Sequence, residues 1–149
     1  MAIQSMVCRL LVAGIVTMTA VPAMAGGPAW ELLDSAPNHS EFFYDKAGVK
    51  KLPAGIVTVT AKVAYAPEGR QEVVDTLKNE KYEALSYSLY SYEINCAKGE
   101  SRLVSVKHAN AQGGAIAEFS LAGKAEWEEI PIGSRLDMVV DEECPVPAR

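Results

Sequence analysis

The sequence predicts an α+β fold: an antiparallel β-sheet of about five or six strands, one helix before the central strand, and a C-terminal helix tied by a disulfide. Three observations predict it. Apolar and polar residues alternate over several separate stretches, which is the period of half-buried strands. Two other stretches space their apolar residues as one face of a helix. Cys96 and Cys144 then form an even pair in a chain that begins like an exported one.

The N-terminus sets that frame. Arg9 and the free amine precede an apolar run from Leu10 to Val21, and Ala23-Met24-Ala25 supplies the small residues a signal peptidase requires. A helix rising about 1.5 Å per residue over that run falls well short of a ~30 Å hydrocarbon core. Gly26-Gly27-Pro28 would break it at once. Residues 1–25 are therefore expected to be a cleaved signal peptide, and 26–149 a single domain with no stable membrane insertion after cleavage. Cys8 precedes the apolar run and is misplaced for lipidation. Losing Arg9 leaves 13 basic against 19 acidic side chains, a net charge of −6. Such acidity excludes nucleic acid as an electrostatic partner, because phosphate binding relies on Lys and Arg displacing counterions. Cys8 leaves as well, and the remaining pair is expected to bond in a periplasmic or secreted location.

Along the mature chain, Glu41 to Tyr44 reads as a short strand that turns through Asp45-Lys46-Ala47-Gly48. Val57, Val59, Ala61, Val63 and Tyr65 alternate with Thr58, Thr60, Lys62 and Ala64, a strand with one wet face. Arg70 to Lys81 is rich in helix formers and places Val73, Val74 and Leu77 on one side. From Tyr82 to Cys96 the parity changes: Leu85, Tyr87 and Leu89 share one face, whereas Tyr90, Tyr92, Ile94 and Cys96 share the other. Either a β-bulge near Leu89 restores a single core face, or the strand lies centrally or at a subunit interface, with apolar groups on both faces. Leu103 to His108 and Ala115 to Leu121 read as strands joined across Asn110-Ala111-Gln112-Gly113-Gly114. Ser134 is placed as an N-cap with Asp137 three residues on, and Leu136, Val139 and Val140 form the apolar stripe of a helix that carries Cys144 back to Cys96.

Catalytic parts are scarce. The two histidines, His39 and His108, are far apart in sequence, and a metal held by both with Glu41 or Asp45 would lack recognised ligand spacing. No C-x-x-C, phosphate loop or nucleophile elbow is present. Glu126, Glu128 and Glu129 around Trp127 are read as a solvated edge, not as paired glycosidase carboxylates. No cofactor or metal is expected. Tyr82, Tyr87, Tyr90 and Tyr92, interleaved with Ser86, Ser88 and Ser91, are the candidate binding surface, since Tyr with Ser buries area while keeping hydrogen bonds available.

One set of landmarks carries a resemblance. Lys81-Tyr82 through Tyr92-Glu93-Ile94-Asn95-Cys96, then Arg102-Leu103, Gly113-Gly114, Trp127-Glu128-Glu129-Ile130-Pro131, Ser134 and Cys144 follow in order, preceded by Trp30 and Phe42-Phe43-Tyr44-Asp45. In this the chain resembles the surface-adhesin protein E family of bacterial exported proteins. The resemblance implies an antiparallel sheet with helical packing, a capacity to form a homodimer, and adhesion to proteins. No binding residue of that family maps onto a matching motif here, and without a lipidated cysteine the soluble periplasm is preferred to a surface anchor. The expected function is an exported non-catalytic binding or adhesion-type module for a protein or other envelope or extracellular ligand. The alternatives are an envelope hydrolase built on His39, His108 and nearby carboxylates, and a structural accessory subunit of an envelope complex.

Overall fold

Alternation becomes strand wherever the sequence carries it. The computed structural model describes residues 26–145, so the stretch 1–25 read as a signal peptide lies outside the described residues. The strands are β1 (Trp30–Ala36), β2 (Ser40–Asp45), β3 (Lys50–Leu52), β4 (Ile56–Tyr65), β5 (Tyr87–Asn95), β6 (Glu100–Ala109), β7 (Ala115–Ser120) and β8 (Glu128–Glu129). The helices are α1 (Pro67–Leu77) and α2 (Arg135–Glu143). The strands form one antiparallel sheet in the order β1-β2-β4-β5-β6-β7, with β3 beside β2 on the flank of β4 and β8 beside β7 on the flank of β6. Eight strands thus occupy six lanes, which reconciles them with the five or six expected.

Register assigns the faces, because residues directly opposite in an antiparallel pair point the same way. Phe42, Val63, Ser88 and His108 lie in one row across β2, β4, β5 and β6, and Tyr44, Ala61, Tyr90, Val106 and Phe119 lie in the next. Both helices cover this face, leaving the opposite one open, a layered α+β arrangement. Under α2 the core holds Tyr44, Val57, Val59, Ala61, Ile94, Val139 and Val140. Tyr44, Ala61, Ile94 and Val139 have no exposed surface at all.

Local chemistry explains α2. The Asp137 N–H donates to Ser134 Oγ at 3.2 Å, while the Asp137 carboxylate accepts from the Gly133 N–H at 2.8 Å, so orphan donors at the helix start are satisfied from both directions. Arg135 reaches the first hairpin, donating to Asp34 Oδ2 (2.7 Å), to Ser40 Oγ (3.0 Å) and to the Ser40 carbonyl (3.3 Å). At the other end Tyr44 donates its hydroxyl to Glu143 Oε1 at 2.9 Å. Burial, reinforced by that carboxylate, pushes the Tyr44 phenol up to about 12. Cys144 then caps the helix and bonds to Cys96, just past β5, with a Cα–Cα distance of 5.5 Å. The expected staple between the last helix and the central strand is present.

Three details differ from the sequence reading. No bulge interrupts β5 near Leu89: it pairs with β4 in unbroken register from Ile56 opposite Asn95 to Ala64 opposite Tyr87. The extra residue belongs to β6, where Ser91 faces Ser105 and Tyr92 faces Leu103, leaving Val104 between them. β5 is accordingly central, with side chains of value on both faces. Next, α1 begins at Pro67 and not Arg70, since proline at the first helical position has its φ preset and forgoes a donor that would be unused there. It ends where Lys78 turns left-handed (φ 48°), and Glu80–Ala84 forms a separate 3-10 turn. Finally β1 is a strand that the alternation test misses. A bulge between Leu32 and Asp34 puts two apolar residues side by side and breaks the period.

Candidate functional site

The segment after β4 determines what happens above the far half of the covered face. The Ala66 N–H donates to the His39 carbonyl at 2.8 Å, Pro67 starts α1, and Gly69, buried, passes directly over that same carbonyl. From this anchor α1 crosses towards β6 and β7. Gly69 is its only fully buried residue, and Leu77 is 47 % exposed. The helix carries Glu72 and Thr76 where larger apolar groups would fill the space beneath it.

What remains is a cleft of about 520 Å³ between α1 and the sheet. Its floor is built from four adjacent lanes: Tyr65 of β4, Tyr90 of β5, Val106 and His108 of β6, and Phe119 of β7. Val73 and Leu77 of α1 form the roof, and His39 with Glu72 closes one rim. His39 Nε2 and Glu72 Oε2 are 2.7 Å apart, and His39 Nδ1 is 3.0 Å from Ser40 Oγ.

His108 is the polar centre of the floor. Its Nδ1 lies 2.6 Å from Oγ of Ser88, a side chain with no exposed surface. Three aromatic rings meet the imidazole at steep angles: Tyr82 at 5.3 Å, Phe119 at 6.1 Å and Tyr90 at 6.4 Å between centroids. Burial, then the charge of Lys81, holds its basicity below the ordinary value of 6.5, so the ring is neutral at neutral pH. Beside it the hydroxyls of Tyr65 and Tyr90 are 3.4 Å apart, and burial raises the Tyr65 phenol far above its usual range.

No family model, curated protein or solved structure matches this chain. The site is therefore read from its own geometry.

That geometry redistributes the residues singled out from sequence. The four tyrosines do not make one surface. Tyr90 lines the cleft, and Tyr92, stacked on it at 6.3 Å and 23°, faces the α2 core. Burial pushes the Tyr92 phenol up to about 12. Tyr87 has the opposite parity and belongs to the open face, while Tyr82 is buried in the 3-10 turn against His108. Strand alternation divides the cluster, whatever its density in sequence.

Conversely, His39 and His108, 69 positions apart in the chain, line one cleft. Glu41 and Asp45 are not with them. By register both sit on the open face, and it is Glu72 that meets His39. Among the described residues no group of three or more His, Cys, Asp or Glu side chains is placed to hold a metal ion. Glu128 and Glu129 are exposed neighbours on β8 and so point to opposite sides, which separates their carboxylates. Trp127 instead lies beneath the Arg102 guanidinium at 4.7 Å.

The open face is wet. Lys62 stands over the rings of Phe43 (4.7 Å) and Trp30 (4.8 Å), and Lys107 pairs with Glu118 at 3.4 Å. The Lys62 head over these two rings covers apolar surface there, while Leu32, in the same row as Phe43, stays half exposed. No helix among the described residues is long and apolar enough to cross a membrane.

Proposed function

We propose that this protein is an exported, non-catalytic binding module whose recognition site is the cleft between α1 and the sheet. The observation that carries this reading is the cleft itself: an apolar space of about 520 Å³, with few polar groups converging on its floor. That is the size and composition typical of small-molecule sites, which span roughly 300–1,000 Å³. The Cys96–Cys144 bond supports an oxidising compartment, as does the export signal read at residues 1–25. The resemblance to the surface-adhesin protein E family supports an envelope role, with binding in place of chemistry.

The hydrolase alternative, built on His39, His108 and nearby carboxylates, draws on the cleft those histidines share, on the 2.7 Å contact of Glu72 with His39, and on the 2.6 Å contact of Ser88 with His108. Two features weigh against it. Ser88 is sealed from solvent, so its hydroxyl is out of reach of a substrate carbonyl, and the carboxylate of the cleft, Glu72, is bonded to His39 at the rim and not to the His108 imidazole beside Ser88.

The test is titration of residues 26–149 with N-phenyl-1-naphthylamine, an uncharged probe that fluoresces when it leaves water. Saturable binding is expected, together with its loss in Val73→Trp, where the indole occupies the space under α1. Equal binding by both proteins would refute the cleft as the site. Export is tested separately by sequencing the N-terminus of the protein recovered from the envelope, which is expected to begin at Gly26.

A further inference from the structure

The chemistry of the cleft also selects its ligand, an inference that rests on the cleft being the recognition site. Three properties of the lining matter. The first is aromatic: Tyr65, Tyr90, His108 and Phe119 present ring edges and faces to one space, and Phe119 is left 49 % exposed. Rings of a guest meet such a floor in the same edge-to-face geometry that His108 already makes with its three neighbours.

Charge is the second. No Lys or Arg lines the cleft, and the one carboxylate, Glu72, is bonded to His39 at the rim. An anionic head would lose water there with no Lys or Arg on the lining to receive it, since Lys81, whose charge reaches His108, stands over the Tyr82 ring outside the cleft. The third is an unspent hydrogen-bonding atom. With Nδ1 committed to Ser88, Nε2 of His108 makes no hydrogen bond within the described residues and is not sealed from solvent. A neutral imidazole offers one donor and one acceptor, so Nε2 complements a group able to act in either sense.

The geometry points to a small uncharged aromatic ligand carrying one hydroxyl-type group, a phenol or aryl alcohol, with its rings between α1 and the sheet and its hydroxyl on Nε2 of His108. An aliphatic acid would lack a lining cation for its head, and a bare hydrocarbon would leave Nε2 unmet.

Three probes of one ring system separate these cases: naphthalene, 2-naphthol and 2-naphthoate, each titrated at neutral pH and each in competition with N-phenyl-1-naphthylamine. One neutral hydrogen bond is expected to make 2-naphthol bind about three- to tenfold tighter than naphthalene. The naphthoate is expected to bind more weakly than either. In His108→Asn the amide stands where Nδ1 stood, keeping a partner for Ser88 while removing Nε2. There the naphthol preference should vanish and naphthalene affinity persist. His108→Gln, whose amide reaches the Nε2 position, should recover part of the preference, and circular dichroism checks that both variants fold.

If all three probes displace N-phenyl-1-naphthylamine but naphthol shows no preference, or keeps it in His108→Asn, the hydroxyl assignment is overturned and the cleft stands. Tightest binding by the naphthoate overturns it likewise. If neither the fluorescent probe nor any naphthalene binds, the cleft reading falls too. Should sedimentation show a dimer whose formation expels the probe, the occupant is a second copy of this chain and the small-ligand assignment is wrong.

Discussion

Gly69 lies so close to His39 that a β-carbon on it would stand 2.2 Å from the His39 carbonyl oxygen. The contact is backbone against backbone, so no side chain can rotate away to relieve it. It fixes the height at which α1 enters the covered face, and with it the near wall of the cleft.

Gly69→Ala should therefore destabilise the protein, although alanine is the better helix former. The propensity gain is at most about 1 kcal/mol, against overpacking that costs typically 1–3 kcal/mol. Urea unfolding followed by circular dichroism is expected to show a lower midpoint with an unchanged slope. The same substitution should lift α1 and lengthen the His39–Glu72 contact, visible as a changed His39 imidazole signal in NMR.

Acidification should weaken the fold through His108. Its folded basicity is held below 6.5 by burial and by Lys81, so the unfolded chain takes up a proton first. The stability owed to the neutral ring is complete above about pH 6.5 and is lost as pH falls from there towards the lower folded value. Denaturant midpoints measured across that range should fall in the wild type and fall less in His108→Asn.

Alkali should act through the phenols. Tyr44 and Tyr92, both held at about 12, stay protonated in the folded chain while an unfolded tyrosine ionises near 10. Their contribution is complete below pH 10 and is lost as pH rises to about 12. Tyr92→Phe keeps the ring and removes the proton, so its midpoint should decline less steeply over that interval.

Reduction should be costly as well. The disulfide joins residues 48 apart, and the chain-entropy estimate for a loop of that length is about 4 kcal/mol. Cys144→Ser is expected to lower the unfolding free energy by that order, and reductant should change the wild type but not the variant.

Much of the fold was legible because one face repeats at period two. Val57 to Tyr65, Leu103 to His108 and Ala115 to Leu121 announce β4, β6 and β7, and Ser134 with its apolar stripe announces α2. β1 was illegible because a bulge breaks its period at Leu32 and Asp34, and β3 and β8 are too short to display one. The disulfide followed from parity and compartment. The cleft did not follow from any local pattern. Tyr65, Tyr90, His108 and Phe119 sit on four different strands, and only the lane order brings them together. Clustering in sequence misled for the tyrosines, because adjacent strand positions face opposite ways.

Apart from β3 and β8, each lane of the sheet neighbours the lane before it in sequence, whereas α2 reaches back across the chain. Arg135 holds Asp34, 101 positions earlier, and Glu143 holds Tyr44, 99 positions earlier. For a polypeptide made N-terminus first, this divides assembly in time. The strands pair as they emerge, but Phe42, Tyr44, Val57 and Val59 stay uncovered until the residues around 135–144 arrive. Closure of the core and formation of the Cys96–Cys144 bond then fall last, so a chain stopped before Ser134 is left with a greasy, unfinished sheet.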